Sequence, residues 1–135
     1  VVNAEPAAHA PWDLLKIDTD GFDGEVLAGA LGTLRAQRPI VYFEWHPELI
    51  VRCGKEVGRA FEALRQADYG PLLWLHNTGE FSHRTPVIPP AEELAWWARL
   101  LRAHNRPRDP HFDIVAIPRE QPALADLVCA RLVYP

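Results

Sequence analysis

The chain has 135 residues, of which 48% are hydrophobic and 24% are charged, a composition typical of one globular domain. Its net charge of -4 at pH 7 argues against a nucleic-acid-binding protein, because such proteins present a basic face. No apolar run approaches the roughly 20 residues that a membrane helix needs, so we expect no membrane span. Cys53 and Cys129 form no C-x-x-C motif, which favours a reducing compartment, and we expect a cytoplasmic protein.

The apolar pattern predicts strands that alternate with helices, after a lead-in over residues 1–11. The predicted strands cover residues 14–18, 40–45, 72–75 and 112–117. The predicted helices cover residues 23–37, 55–68, 92–104 and 123–132. Strands without in-out alternation, separated by helices, predict one α/β domain over residues 12–135, with a mostly parallel sheet and helices on both faces.

Three carboxylates lie where the first predicted strand becomes a turn and then a helix. Asp18 ends the strand, Asp20 precedes a glycine, and Asp23 begins the helix. Ligands of open α/β sheets bind at the carboxyl ends of the strands, so this acidic cluster marks a candidate site. Glu44 and His46 end the next predicted strand and are expected at the same edge.

Structural interpretations of these residues compete with the functional one. Asp20 and Asp23 are placed to cap the helix. Lys16 is predicted in a buried strand, where it needs a carboxylate, and Glu44 is the expected partner. Four other histidines lack ligand spacing and are predicted to be solvated surface residues, namely His76, His83, His104 and His111. Gly29 and Gly32 share one helix face and are expected to pack closely on the sheet.

Two segments resemble a known family. Residues 13–30, DLLKIDTDGFDGEVLAGA, are similar to the signature of FkbM-type S-adenosylmethionine-dependent methyltransferases, approximately D-h-h-K-I-D-h-E-G-x-E-x-x-h-L-x-G-A. Residues 38–44, RPIVYFE, are similar to that family's R-P-h-h-h-h-E strand. The resemblance implies a Rossmann-like sheet in which this chain supplies strands four to seven of a class I methyltransferase fold. Asp20 and Asp23 depart from the pattern, since the family more often has Glu there.

The resemblance also implies a reaction, namely methyl transfer from S-adenosylmethionine to a hydroxyl of a sugar, glycolipid or secondary metabolite. The acceptor is then a small molecule or a glycan. The expected catalytic cluster is Asp18, Asp20, Glu44 and His46. Asp18 and Glu44 end neighbouring strands, so they are also the expected ligands if Mg²⁺ lowers the pKa of the acceptor hydroxyl.

The sequence contains no G-x-G-x-G loop, although the family's cofactor half carries a glycine-rich loop. The chain therefore resembles the C-terminal half of the domain, which argues against activity in isolation. The strand from Leu14 to Asp18 becomes an apolar edge that needs a cover. The expected covers are residues 1–11, a second copy in a homo-oligomer, or a missing N-terminal half. The alternative functions are a non-catalytic half-domain that acts as an interaction module and, third, a metal-dependent hydrolase.

Overall fold

The computed structural model describes residues 11–103 and 110–133, which form one five-stranded sheet with helices on both faces. The strands are β1 (Leu14–Ile17), β2 (Ile40–Trp45), β3 (Tyr69–His76), β4 (Phe81–Thr85) and β5 (Phe112–Pro118). The helices are α1 (Asp23–Gly29), α2 (Leu31–Gln37), α3 (Pro47–Arg52), α4 (Arg59–Gln66), α5 (Ala91–Ala103) and α6 (Pro122–Val133). The predicted lead-in lies, apart from Pro11, outside the described residues.

The prediction of a mostly parallel sheet is wrong. The strand order is β1-β2-β5-β3-β4, and only the β1–β2 pair is parallel. The other three neighbouring pairs are antiparallel, so this is a mixed α/β sheet. Strand β5 runs between β2 and β3 in the opposite direction to both. The apolar pattern of a buried strand reports its burial and not its direction, which explains the error.

Two elements were not predicted. Strand β4 pairs with β3 through a short turn in which Gly79 has a φ of 84°, and a connection this short makes the pair antiparallel. Helix α3 follows β2 directly, with His46 as its N-cap and Pro47 in its first turn. The predicted helix over 23–37 is present as α1 and α2, which meet at Ala30.

The larger core lies on one face of the sheet, under the helices that precede β5. Phe43 and Trp45 of β2 pack there with Phe61 of α4 and Trp74 of β3, in edge-on and stacked ring contacts of 5.3 to 5.9 Å between centroids. A smaller core lies on the opposite face, where α6 packs on β3 and β5. The expectation of helices on both faces is therefore confirmed.

The first strand is not buried as predicted. Leu14 is 60% exposed, and of the four residues of β1 only Ile17 is buried. Strand β1 forms one edge of the sheet. On the face that carries the smaller core, α6 covers β3 and β5 and lies away from this edge. The outer edge of β1 has no neighbouring strand among the described residues.

Candidate active site at the carboxyl ends of the parallel strands

Asp18 and Glu44 lie at the same edge of the sheet. Ile17 pairs with Phe43 in the parallel β1–β2 ladder, and Asp18 and Glu44 are the next residues after this pair on the two strands. The Asp18 side chain is largely exposed, whereas the Glu44 side chain is mostly buried. The structure thus brings together two of the predicted site residues, one at the surface and one beneath it.

Two histidines surround Glu44. Nε2 of His111 lies 3.4 Å from Oε2 of Glu44. The His111 ring stacks on the His46 ring, with 4.8 Å between centroids and 21° between planes. His46 is 3% exposed, and its Nδ1 accepts a hydrogen bond from the Leu49 amide at 3.3 Å. These contacts fix both imidazoles beside one carboxylate.

The Glu44 carboxyl is in an unfavourable place for a charge. Its Oε1 atom is fully buried and has no hydrogen-bond partner within the described part of the chain. Burial raises the pKa of Glu44, and the nearby carboxylates of Asp23 and Asp18 raise it further. His111 and His46 oppose this shift. Perturbed carboxyls of this kind are common in functional sites.

Asp23 joins the turn after β1 to the end of β2. Its carboxylate is buried, accepts a hydrogen bond from the Thr19 hydroxyl at 2.9 Å, and accepts another from the Glu44 amide at 3.3 Å. The N-cap of α1 is Phe22, so the interpretation of Asp23 as a helix cap is wrong. Asp23 instead holds the backbone that carries Glu44.

Asp20 and Lys16 have other surroundings than the sequence suggested. Asp20 is exposed in the turn with a φ of 51°, and its carbonyl lies 3.7 Å from Sγ of Cys53. Lys16 is exposed and pairs with Asp18 at 3.3 Å, so the predicted buried Lys16–Glu44 pair is wrong. An exposed β1 allows the Lys16 ammonium to stay in water, where it needs no buried partner.

Tyr42 and Asp113 extend the polar surface along the same sheet face. Tyr42 pairs with Lys16 in the β1–β2 ladder, and the Lys16 ammonium lies 5.9 Å from the Tyr42 ring centroid. Burial and a hydrogen bond to Asp113 raise the pKa of Tyr42 to about 12. Asp113 pairs with Glu44 in the β2–β5 ladder. The sequence pattern indicated no role for either residue.

The expected Mg²⁺ site receives no support from this geometry. Within residues 11–103 and 110–133, no three His, Cys, Asp or Glu side chains are grouped as metal ligands. The Asp18 side chain pairs with Lys16, and the Glu44 carboxylate faces His111. The structure therefore assigns no metal to Asp18 and Glu44.

The other histidines differ from the prediction of solvated surface residues. His111 is mostly buried beside Glu44, so the prediction is wrong for it. The prediction is also wrong for His83, because its ring stacks on the rings of Trp74 and Trp97, with 5.2 Å and 6.2 Å between centroids. His76 is exposed, as predicted, and His104 lies outside the described residues.

The cavity at these strand ends is too small for S-adenosylmethionine. Glu44, Asp23, Gly21 and Trp45 line a cavity of about 10 Å³, enough for about one water molecule. A nucleoside cofactor needs a cleft of several hundred Å³. These strand ends can thus line only one side of such a cleft.

Part of the chain, including β1 and β2, matches a known protein family. Residues 5–71 match the family model described as the methyltransferase FkbM domain. The match covers 67 of the 135 residues, and this segment is similar to the FkbM methyltransferase domain. No curated protein matches the chain, and neither does any solved structure.

The FkbM segment contains the elements from β1 to the start of β3, and with them Asp18, Asp20, Glu44 and His46. The resemblance stated from residues 13–30 and 38–44 is therefore confirmed. His111 and Asp113 lie outside the matched segment and reach the site through β5. No helix among the described residues combines the length and the apolar character of a membrane span.

Proposed function

We propose that this chain is the acceptor-side part of an S-adenosylmethionine-dependent O-methyltransferase. The observation that supports the proposal is the FkbM match combined with the place of Glu44, a buried carboxyl at the carboxyl end of β2. S-adenosylmethionine, when bound, supplies the methyl group. The residues of this chain bind and orient a hydroxyl of a sugar, glycolipid or secondary metabolite.

Asp18, Glu44 and His46 form the part of the proposed site that the structure brings together. The exposed Asp18 carboxylate is available to accept a hydrogen bond from an acceptor hydroxyl. Glu44 and His46 lie behind it, where water is largely excluded and electrostatic interactions are stronger. Asp20 lies in an exposed turn, and its proposed role is contact with an acceptor that covers the edge.

A second part of the protein completes the cofactor cleft in this proposal. Strand β1 has an open edge among the described residues, and the chain lacks the glycine-rich loop. A strand added beside β1 would cover that edge and extend the sheet in the direction where the cleft is incomplete.

The test uses the full-length protein in which this chain occurs. S-adenosylhomocysteine release is measured with a panel of methyl glycosides, glycolipids and hydroxylated aromatic compounds. Asp18→Asn should lower turnover at least about tenfold with little loss of stability, because the Asp18 side chain is largely exposed. Glu92→Gln, an exposed carboxylate on α5, is the matched control and should leave turnover unchanged. Absence of release with every acceptor would contradict the proposal.

A non-catalytic interaction module is the second candidate, and the open edge of β1 favours it. The same measurement separates the two, because an interaction module releases no S-adenosylhomocysteine.

A further inference from the structure

A second, larger cavity lies beside the small one at the end of β2. Its volume is about 320 Å³, at the lower end of the roughly 300 to 1,000 Å³ that ligand pockets span. The residues that line it are Glu25, Gly54, Lys55, Glu56 and Arg59. The four charged ones also line the cavity of about 10 Å³ that Glu44 and Asp23 border, so the two cavities adjoin. The larger cavity thus lies next to the proposed site.

The charged side chains around this cavity are within reach of a ligand. Oε1 of Glu25 lies 3.9 Å from Nζ of Lys55, and Oε2 of Glu25 lies 3.8 Å from Nε of Arg59. Both distances are longer than the roughly 3.2 Å of an N–H···O hydrogen bond, so both ion pairs are loose. The three side chains are 34% to 44% exposed. Their donors and acceptors can therefore bind a group that enters from solvent.

The balance of charges around the cavity favours a neutral ligand. Lys55 and Arg59 contribute two positive charges, and Glu25 and Glu56 contribute two negative ones. A phosphate or carboxylate group would lie close to two carboxylates, and like charges at close range are unfavourable. A hydroxyl group both donates and accepts hydrogen bonds. Neighbouring hydroxyls of one ligand can thus donate to the Glu25 carboxylate and accept from Lys55 and Arg59.

Phe22 adds an apolar surface next to these polar groups. Its side chain is 45% exposed, and Nζ of Lys55 lies 5.3 Å from its ring centroid. A sugar ring combines hydroxyl groups at its rim with an apolar C–H face, which an exposed aromatic ring can cover. The five residues that line the cavity are charged or glycine, whereas aromatic ligands bind mainly among apolar side chains. These features together favour a sugar over an aromatic acceptor.

We propose that this cavity, the acceptor subsite, holds a sugar ring of the acceptor, and that Glu25, Lys55 and Arg59 bind its hydroxyl groups. This inference rests on the proposed function and narrows the acceptor to a free sugar or the sugar part of a glycolipid. A ring bound in the acceptor subsite lies next to the cavity that Glu44 borders.

The first test measures binding to the full-length protein and needs no turnover. Saturation-transfer difference NMR is recorded with methyl glucoside, methyl mannoside and methyl rhamnoside, with phenol as the contrasting aromatic probe and inorganic phosphate as a competitor. We expect binding of at least one glycoside, weaker binding of phenol, and no displacement of the glycoside by phosphate. Displacement by phosphate, or stronger binding of phenol, would overturn the assignment to a sugar.

Arg59→Met is the variant that tests the acceptor subsite directly. Methionine retains the Cβ and Cγ atoms that approach Gly24 and removes the guanidinium. The Kd of the glycoside should rise about tenfold, because a hydrogen bond from a charged group is lost. Arg99→Met removes a guanidinium from an exposed position of α5, so it is the matched control and should leave the Kd unchanged.

The second test measures turnover in the full-length protein with methyl and octyl glycosides of the sugar that binds. Arg59→Met should raise KM about tenfold and leave kcat nearly unchanged, because a residue that binds the substrate and the transition state equally affects KM alone. A merely structural role would lower kcat through loss of folded protein and would leave KM unchanged. A lower KM for octyl than for methyl glycosides identifies a glycolipid acceptor, and equal values identify a free sugar, and both support the acceptor subsite.

Absence of binding by every glycoside, or binding that is unchanged in a folded Arg59→Met variant, would overturn the acceptor subsite and leave the proposed function standing. Absence of turnover in the unsubstituted protein would overturn the proposed function. The binding measurement would then still decide whether the cavity holds a sugar.

Discussion

Asp23 is a buried carboxylate that joins the two strand ends of the candidate site. It is 1% exposed and receives hydrogen bonds from the Thr19 hydroxyl and the Glu44 amide. Both donors belong to segments at the carboxyl ends of β1 and β2. Asp23 therefore sets the distance between the two strand ends that carry the candidate site.

We expect Asp23→Ala to lower the free energy of unfolding by about 2 to 4 kcal/mol, because it leaves the Glu44 amide without its partner and removes a charged acceptor. Urea unfolding followed by tryptophan fluorescence measures the change. Glu92→Gln is the control and should change the stability by less than about 0.5 kcal/mol. A loss as small as that of the control would show that Asp23 does not hold the strand ends.

His83, packed in the aromatic core, makes the stability of the folded protein depend on pH. Its ring is stacked between Trp74 and Trp97, and burial lowers its pKa below the usual value of a histidine. The folded protein therefore favours the neutral ring. The contribution of the neutral His83 ring to the stability of the folded protein is fully present above the pKa of about 6.5 that a histidine has in the unfolded chain. It is lost as the pH falls through the lower pKa of His83 in the folded protein.

We expect His83→Phe to reduce the loss of stability between pH 7.5 and pH 5, because phenylalanine retains the stacking and cannot bind a proton. The measurement is the urea midpoint at both pH values. Arg99→Lys, at an exposed position of α5, retains both the imidazole and the surface charge, so it should keep the original pH dependence. An equal loss in His83→Phe and the unsubstituted chain would exclude His83 as the source.

At the scale of elements, Gly21 in the turn after β1 and Gly24 in α1 allow close approaches to neighbouring helices. Gly21 has a φ of 100°, and a Cβ there would lie 2.9 Å from the carbonyl carbon of Leu49. A Cβ on Gly24 would lie 2.9 Å from the Cβ of Arg59, at the contact of α1 with α4. The glycines predicted to pack closely are Gly29 and Gly32, and a Cβ at either position would meet no atom within 4 Å, so that prediction is wrong.

We expect Gly21→Ala to lower the free energy of unfolding by about 2 kcal/mol or more, since it adds a clash with α3 to an unfavourable φ. Gly32→Ala is the matched control in an open helical position and should raise the stability by up to about 1 kcal/mol. Thermal unfolding by circular dichroism compares the two. Similar effects of both substitutions would contradict the close approach of the turn to α3.

At the scale of the whole molecule, the outer edge of β1 is one of the two open edges of the sheet among the described residues. Trp12 and Leu14 are 47% and 60% exposed, and the backbone of β1 pairs on one side only among the described residues. An open apolar edge promotes strand pairing between molecules, and a charged residue on the edge opposes it.

The 135-residue chain is therefore expected to self-associate as its concentration rises, measured by size-exclusion chromatography with light scattering. Leu14→Lys should reduce the association. Val87→Lys is the matched control, because Val87 is a similarly exposed apolar residue in the loop after β4, and it should not alter the association. A strict monomer at every concentration would refute the prediction.

The direction of β5 explains most of what the sequence pattern missed at the site. In a parallel sheet, the start of the last strand lies at the opposite edge from Glu44, and a surface position for His111 follows from that arrangement. In the antiparallel arrangement the start of β5 lies beside the end of β2, and His111 meets Glu44. The hairpin of β3 and β4 was not predicted, since β4 is a short polar strand at an edge.

The sequence by itself determined the resemblance to the FkbM family, the alternation of strands and helices, and the shared edge of Asp18 and Glu44. These depend on local periodicity and on residue types at fixed spacing, which a linear pattern records. Only the tertiary structure decided the direction of β5, the burial of Glu44 beside two histidines, and the exposure of β1. These depend on which segments distant in the chain become neighbours, and hydrophobic periodicity carries no information about that choice.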